Sequence, residues 1–193
     1  MSHFFAYLYR LRFIDRWGLM RNTERENVAE HSFNVALLTH ALGTIGREVF
    51  GKEVDVDRAV SLALFHDVEE VITGDIPAPV KHHDPHIVSG MRAMELAAAE
   101  RLLGLVPPEL EPSYRALIRH GEADPELLRW VKAADKLAAY LKCATEVAAG
   151  NREFAVAKRQ VEAAVRALSM PEVDYFLASF APSFERTLDE ISE

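Results

Sequence analysis

The sequence predicts an all-α fold, a helical bundle forming a single domain over residues 1–193. Three observations carry that expectation. Apolar residues recur at helical spacing, caps and breakers bracket each periodic stretch, and no stretch alternates apolar and polar residues as a half-buried strand does. With 193 residues, 49% of them hydrophobic, the chain can fill one substantial core. It contains no repeat and no linker long enough to divide it.

Residues 3–16 place Phe4, Leu8, Leu11 and Ile14 on one stripe of a first helix. Asn27 can cap a second, with Glu30 three residues on as in a capping box. That helix runs to about residue 48 and turns Val35, Leu38 and Leu42 inward. Asp55 or Asp57 can cap a third, which carries Ala59, Val60, Ala63 and Leu64 and ends near Val71. The segment Thr73-Gly74-Asp75-Ile76-Pro77-Ala78-Pro79 cannot continue it, because prolines and glycine break helices. A fourth helix spans about 86–104, and a shorter one follows near 108–120. Asp124-Pro125 is a helix start, with Asp as N-cap and Pro in the first turn, and its helix runs to Ala149 before Gly150-Asn151. Another covers roughly 152–168 and stops near Pro171. From Asp174 on, the tail holds short helical turns around Phe176, Phe180 and Phe184.

The net charge of −8 speaks against nucleic-acid binding, which draws most of its affinity from basic patches on phosphate. A small phosphorylated substrate needs only one or two local cations. The lone cysteine, Cys143, forms no internal disulfide and reads as a small buried apolar residue. A reducing, cytoplasmic compartment fits it. The apolar start at Met1–Phe5 soon meets Arg10, Arg12, Asp15 and Arg16, which is not a signal-peptide pattern. No stretch approaches the ~20 apolar residues of a membrane span.

Four residues carry candidate chemistry: His31, the pair His66-Asp67, and Asp135, each inside a helical apolar stretch. A carboxylate on an apolar stripe needs a partner. Two imidazoles and two carboxylates together suit Zn²⁺, Mn²⁺, Co²⁺ or Fe²⁺. Singly, each has a plainer reading: His31 as a hydrogen-bonded core histidine, Asp135 as the partner of a nearby Lys or Arg. Their order along the chain favours a joint metal site.

The pattern His31…His66-Asp67…Asp135 resembles the HD-domain metal-dependent phosphohydrolases. Further segments look like the bacterial 5′-deoxynucleotidase branch: Phe13–Trp17, Arg25–Ser32, Phe65–Glu70, Thr73–Lys81 and Tyr140–Cys143. The likeness extends into the tail at Asp174-Tyr175-Phe176 and Pro182-Ser183-Phe184. It implies one divalent metal ion, Co, Mn, Zn or similar, on His31, His66, Asp67 and Asp135. It implies hydrolysis of 2′-deoxyribonucleoside 5′-monophosphates to deoxynucleoside and phosphate, and a homodimer.

The same resemblance implies the other roles. Glu70 would be an acid/base residue, placed by helical spacing on the face of His66 and Asp67; the plainer reading is a solvated glutamate like Glu69. Arg16 would clamp phosphate and offset transition-state charge, or else lie on the surface. Trp17 would wall the sugar pocket, or else fill the core. Asp75, Ile76, Pro77 and Ala78 would contact substrate beside His31, Asp67 and Asp135, with Asp75 accepting from a sugar hydroxyl. Ala78 stands where relatives can carry a hydroxyl residue, so one sugar contact is expected to be missing. Lys81 and Lys136 either bias the local field or are simply solvated. His82, His83 and His86 could hold a second metal, whereas His3, His40 and His120 are read as ordinary. Two other functions remain open: hydrolysis of a cyclic or pyrophosphorylated nucleotide, and a metal-stabilised domain without catalysis.

Overall fold

A computed structural model describes residues 1–77, 80, 84–119, 121 and 123–192. Two long helices set the frame. The first, α2 (Val28–Glu48), opens on a complete capping box: the Asn27 side chain accepts from the Glu30 N–H, and the Glu30 carboxylate accepts from the Asn27 N–H. The other, α7 (Pro125–Ala148), opens on Asp124, whose side chain accepts from the Glu126 N–H. Between and around them lie α3 (Val56–Leu64), α4 (Glu70–Thr73), α5 (Pro85–Leu103) and α6 (Glu111–Ile118). After α7 come α8 (Ala155–Arg166), α9 (Pro171–Ser179) and α10 (Leu188–Ser192). The chain begins with α1 (Phe4–Leu8).

The main core joins α2, α3 and α7 to α8 and α9 through Val35, Leu38, Leu42, Leu62, Leu137 and Met170. A second cluster, with Phe4, Leu11, Val28, Val68, Leu102 and Ile118, seats the N-terminal segment against α5 and α6. Among the described residues no strand forms, and the structure is all-helical apart from one isolated antiparallel bridge, Asp15 to Asn27.

Four expectations are corrected. Residues 3–16 are not one helix: α1 tightens into a 3₁₀ turn over Tyr9–Phe13, and Ile14 is extended. There the backbone pairs with residues 26–28 instead, through Val28 N–H to the Ile14 carbonyl and Arg16 N–H to the Glu26 carbonyl. The third helix ends at Leu64 rather than near Val71. The His66 ring takes up the Ala63 carbonyl through Nδ1 at 2.8 Å, so a side chain competes for an acceptor at the end of the helical ladder. Finally, Pro171 opens α9 as well as ending the previous stretch, because its fixed φ suits a first turn. The stretch expected as one helix over 152–168 is a 3₁₀ turn, Arg152–Phe154, followed by α8.

Candidate metal centre and active site

His31 lies in the first turns of α2 and is fully buried. His66 and Asp67 occupy the turn after α3, and Asp135 projects from α7 with a half-exposed carboxylate. The ligand atoms of His31, His66 and Asp67 all lie within 4.8 Å of one another. Asp67 Oδ2 is 3.0 Å from His66 Nε2 and 3.6 Å from His31 Nε2. Asp135 stands beside this trio, with Oδ1 3.1 Å from His31 Nε2.

The donors fit a divalent cation. The Ala63 carbonyl can only accept, so His66 carries a proton on Nδ1 and turns Nε2 to the centre. The Nε2 atoms of both histidines are buried without a hydrogen bond among the described residues. Such groups are costly unless something satisfies them, and imidazole nitrogen with carboxylate oxygen is a transition-metal donor set. The electrostatics agree. Burial opposes charge on His66, yet Asp67 and Asp135 outweigh it and lift the imidazole to about 9. Burial would raise Asp67, but His66, His31 and Arg16 hold it well below the usual carboxylate range. The pocket therefore attracts positive charge.

Arg16 and Trp17 follow the extended turn at Ile14. Arg16 Nη1 lies 3.7 Å from Asp67 Oδ2, and its Nε donates to Glu26 Oε2 at 3.2 Å. Burial disfavours the guanidinium charge, but Asp67, Glu26, Asp75 and Asp135 more than offset it and raise the pKa. Trp17 Nε1 donates to the same Glu26 oxygen at 3.0 Å, and its ring packs on Phe154 with centroids 5.4 Å apart. Its φ of 58° is a left-handed conformation, uncommon for a bulky residue and typical of functional sites. Gly74, at φ 73°, ends α4 and turns the chain into Asp75, Ile76 and Pro77, all half-buried. Burial raises the Asp75 pKa, against the opposing pull of Arg16 and, more weakly, of the Trp17 backbone. Ala78 lies outside the described residues.

Glu70 opens α4, its N–H donating to the Asp67 carbonyl at 3.1 Å. Burial first, then the negative charges of Asp67 and Asp75, push its carboxyl up to about 9. Its Oε2 is buried with no hydrogen bond among the described residues. It lies within the electrostatic reach of Asp67, Asp75, Arg16 and His66, at the start of a separate short helix and not of one continuous with α3. The reading of Glu69 as solvated is corrected: it is half-buried, and burial lifts it to about 8.

Other sequence candidates stay apart. Lys136, His3, His40 and His86 are exposed. Lys81, His82, His83 and His120 lie outside the described residues. Two residues that sequence reasoning missed are prominent. Glu26 joins Arg16 to Trp17, and the buried Glu146 ties the loop behind them to α7 by accepting from the Thr23 and Glu24 N–H groups, Asn151 and Lys142. Glu26 has two hints in the sequence, its place just before the α2 cap and its membership of the Arg25–Ser32 likeness, but neither assigns it a role; Glu146 offers no signal beyond lying in a helix.

Known proteins share this arrangement of the chain. The family described as 5′-deoxynucleotidase YfbR-like matches residues 3–184. A 5′-deoxynucleotidase of Vibrio vulnificus is 46% identical over 191 residues, covering 99% of this chain and 98% of that protein. An HD-domain phosphohydrolase from Listeria innocua superimposes with TM-score 0.81 at 25% identity, covering 94% of this chain and 88% of that one. The structure of a predicted metal-dependent phosphohydrolase from Magnetospirillum magnetotacticum gives 0.62 at 27% identity, covering 98% and 89%. The helical frame and its His-Asp centre define a metal-dependent phosphohydrolase of the HD-domain class. Within that class, the chain belongs to the YfbR-like 5′-deoxynucleotidase family.

Proposed function

We propose that this protein is a divalent-metal-dependent 5′-deoxynucleotidase, one HD-type domain over residues 1–193, releasing phosphate from 2′-deoxyribonucleoside 5′-monophosphates. The observation that carries the reading is the cluster of His31, His66 and Asp67, with both imidazole Nε2 atoms turned to carboxylate oxygens of Asp67 and Asp135 and with Arg16 beside it. These three and Asp135 would hold the ion, Co²⁺, Mn²⁺ or Zn²⁺. Bound there, it would supply Lewis-acid activation of water and of a phosphoryl oxygen.

The chain's own residues do the rest. Arg16 keeps Nη1 on the metal side and offers it to phosphate oxygens as negative charge builds. Glu70, whose carboxyl stays protonated to about 9, is suited to give a proton to the departing 5′-oxygen. Trp17 walls the sugar against a 2′-hydroxyl, and Asp75, Ile76 and Pro77 lie on the loop after Gly74, with Asp75 accepting from a sugar hydroxyl and Ala78 counted among the substrate-contacting residues. Met91 and Met94 of α5 back this segment beside Glu70, Gly74 and Ile76.

The reading includes a cytoplasmic homodimer. No helix among the described residues is long and apolar enough to cross a membrane. Phe33 and Leu37 of α2 are exposed and, with Phe184 of the tail, line an open groove of about 1180 Å³. Phosphate release from 5′-dNMPs by metal-stripped and cobalt-reloaded protein tests the activity, and sedimentation tests the dimer.

A further inference from the structure

We infer that Glu26 is a positioning residue whose single carboxylate oxygen holds the Arg16 guanidinium and the Trp17 indole in register, so that one group sets both phosphate capture and sugar selection. This rests on the roles proposed above for Arg16 and Trp17. Glu26 Oε2 accepts from Arg16 Nε at 3.2 Å and from Trp17 Nε1 at 3.0 Å. The Arg16 and Glu26 side chains are only 13% and 12% exposed, so water screens this contact weakly.

The backbone shows why the carboxylate is needed. Arg16 N–H donates to the Glu26 carbonyl at 2.9 Å, and Val28 N–H donates to the Ile14 carbonyl at 3.0 Å. This short antiparallel ladder fixes the main chain of residues 14–16 against the start of α2. It does not by itself set the side-chain directions of Arg16 and Trp17, and packing of the indole on Phe154 leaves its Nε1 in need of an acceptor. Glu26 supplies one acceptor to both. It engages Arg16 through Nε, while Nη1 faces Asp67 at 3.7 Å, too far for a hydrogen bond. The guanidinium is thereby kept from closing onto a metal-type donor, and its outer nitrogens stay available to a phosphate. The indole is held by its Nε1 although its backbone sits at φ 58°.

The test uses the full-length, cobalt-loaded protein with matched deoxyribo- and ribonucleoside 5′-monophosphates. Glu26→Ala is expected to lower kcat/KM for the deoxynucleotide by roughly 10- to 100-fold, the size of lost charge-assisted hydrogen bonds. The loss should fall mainly on KM and should narrow the deoxy-to-ribo ratio. Glu26→Gln, which keeps an acceptor oxygen, should fall between. In an Arg16→Ala/Trp17→Phe background the same Glu26→Ala change should cost less than about threefold, because its targets are gone. Cobalt content and Tm should stay near those of the parent proteins. An unchanged ratio, or an equal loss in both backgrounds, overturns the inference. If the wild type releases no phosphate, the phosphatase reading fails by itself. Calorimetric affinity for deoxynucleotide then decides on Glu26, and equal binding by wild type and Glu26→Ala overturns its positioning role.

Discussion

Asp67 faces three groups at once, since its Oδ2 lies near His66, His31 and Arg16. Glu70 stands one turn away with the opposite tendency, a carboxyl held protonated up to about 9. Two neighbouring acids are thus pushed apart, as expected when one serves as a permanent anion and the other as a proton carrier. Their variants should separate accordingly. Asp67→Asn keeps the shape but removes the charge, and should weaken cobalt binding by more than the roughly 10- to 100-fold that losing an outer partner costs. Glu70→Gln should keep its cobalt and lose roughly 10²- to 10⁴-fold in kcat. Metal analysis beside turnover distinguishes them, and loss of cobalt from Glu70→Gln would contradict the assignment. The donor residues were legible in the sequence by type and order, because His and Asp on apolar stripes are conspicuous. Glu26 was not, because a glutamate in the polar stretch Glu24-Arg25-Glu26-Asn27 looks solvated until the fold brings Arg16 and Trp17 to it.

Among the elements, α2 and α7 were read almost to the residue, since their caps are local chemistry: Asn27 with Glu30, and Asp124 with Pro125. The end of α3 was not legible, because it depends on the His66 ring reaching the Ala63 carbonyl. Nor was the break after α1, where residues 14–16 exchange helix for pairing with residues 26–28. Close packing of α2 on α7 gives a further expectation. A Cβ on Gly46 would meet the Trp130 ring at 2.6 Å. Gly46→Ala should therefore destabilise the fold by about 1–3 kcal/mol through overpacking. It should do so although helix propensity alone favours alanine by about 1 kcal/mol. Urea unfolding measures it, and a stabilised variant would refute the tight contact. Glu146, buried in α7, ties the 21–24 loop down. Burial would raise its pKa, but Lys142, Asn151 and the Thr23 and Glu24 N–H groups pull it to about 2. A depressed folded pKa stabilises above the ordinary carboxyl range and is lost as pH falls toward 2. The stability gap between wild type and Glu146→Gln, read by urea midpoints, should narrow on acidification from neutral pH. A gap independent of pH would remove Glu146 from this role.

Across the whole molecule, the candidate site sits where the two apolar clusters meet. Val28 at the start of α2 and Val68 in the turn after Asp67 belong to the smaller cluster, while Val131, Ala134 and Leu137 around Asp135 belong to the larger. Packing of one cluster on the other therefore sets the spacing of His31, His66 and Asp67 against Asp135. The all-helical class was legible from periodicity alone, whereas the meeting of the clusters was not, since it depends on contacts between distant segments. The central claim joins this geometry to one reaction, and phosphate release tests it most directly. Protein stripped with EDTA and reloaded with Co²⁺ would be offered 5′-dNMPs, ribonucleoside 5′-monophosphates and 3′-monophosphates. The account predicts cobalt-dependent release mainly from 5′-dNMPs; release from none of them with any divalent ion, or equal release from stripped protein, would contradict it.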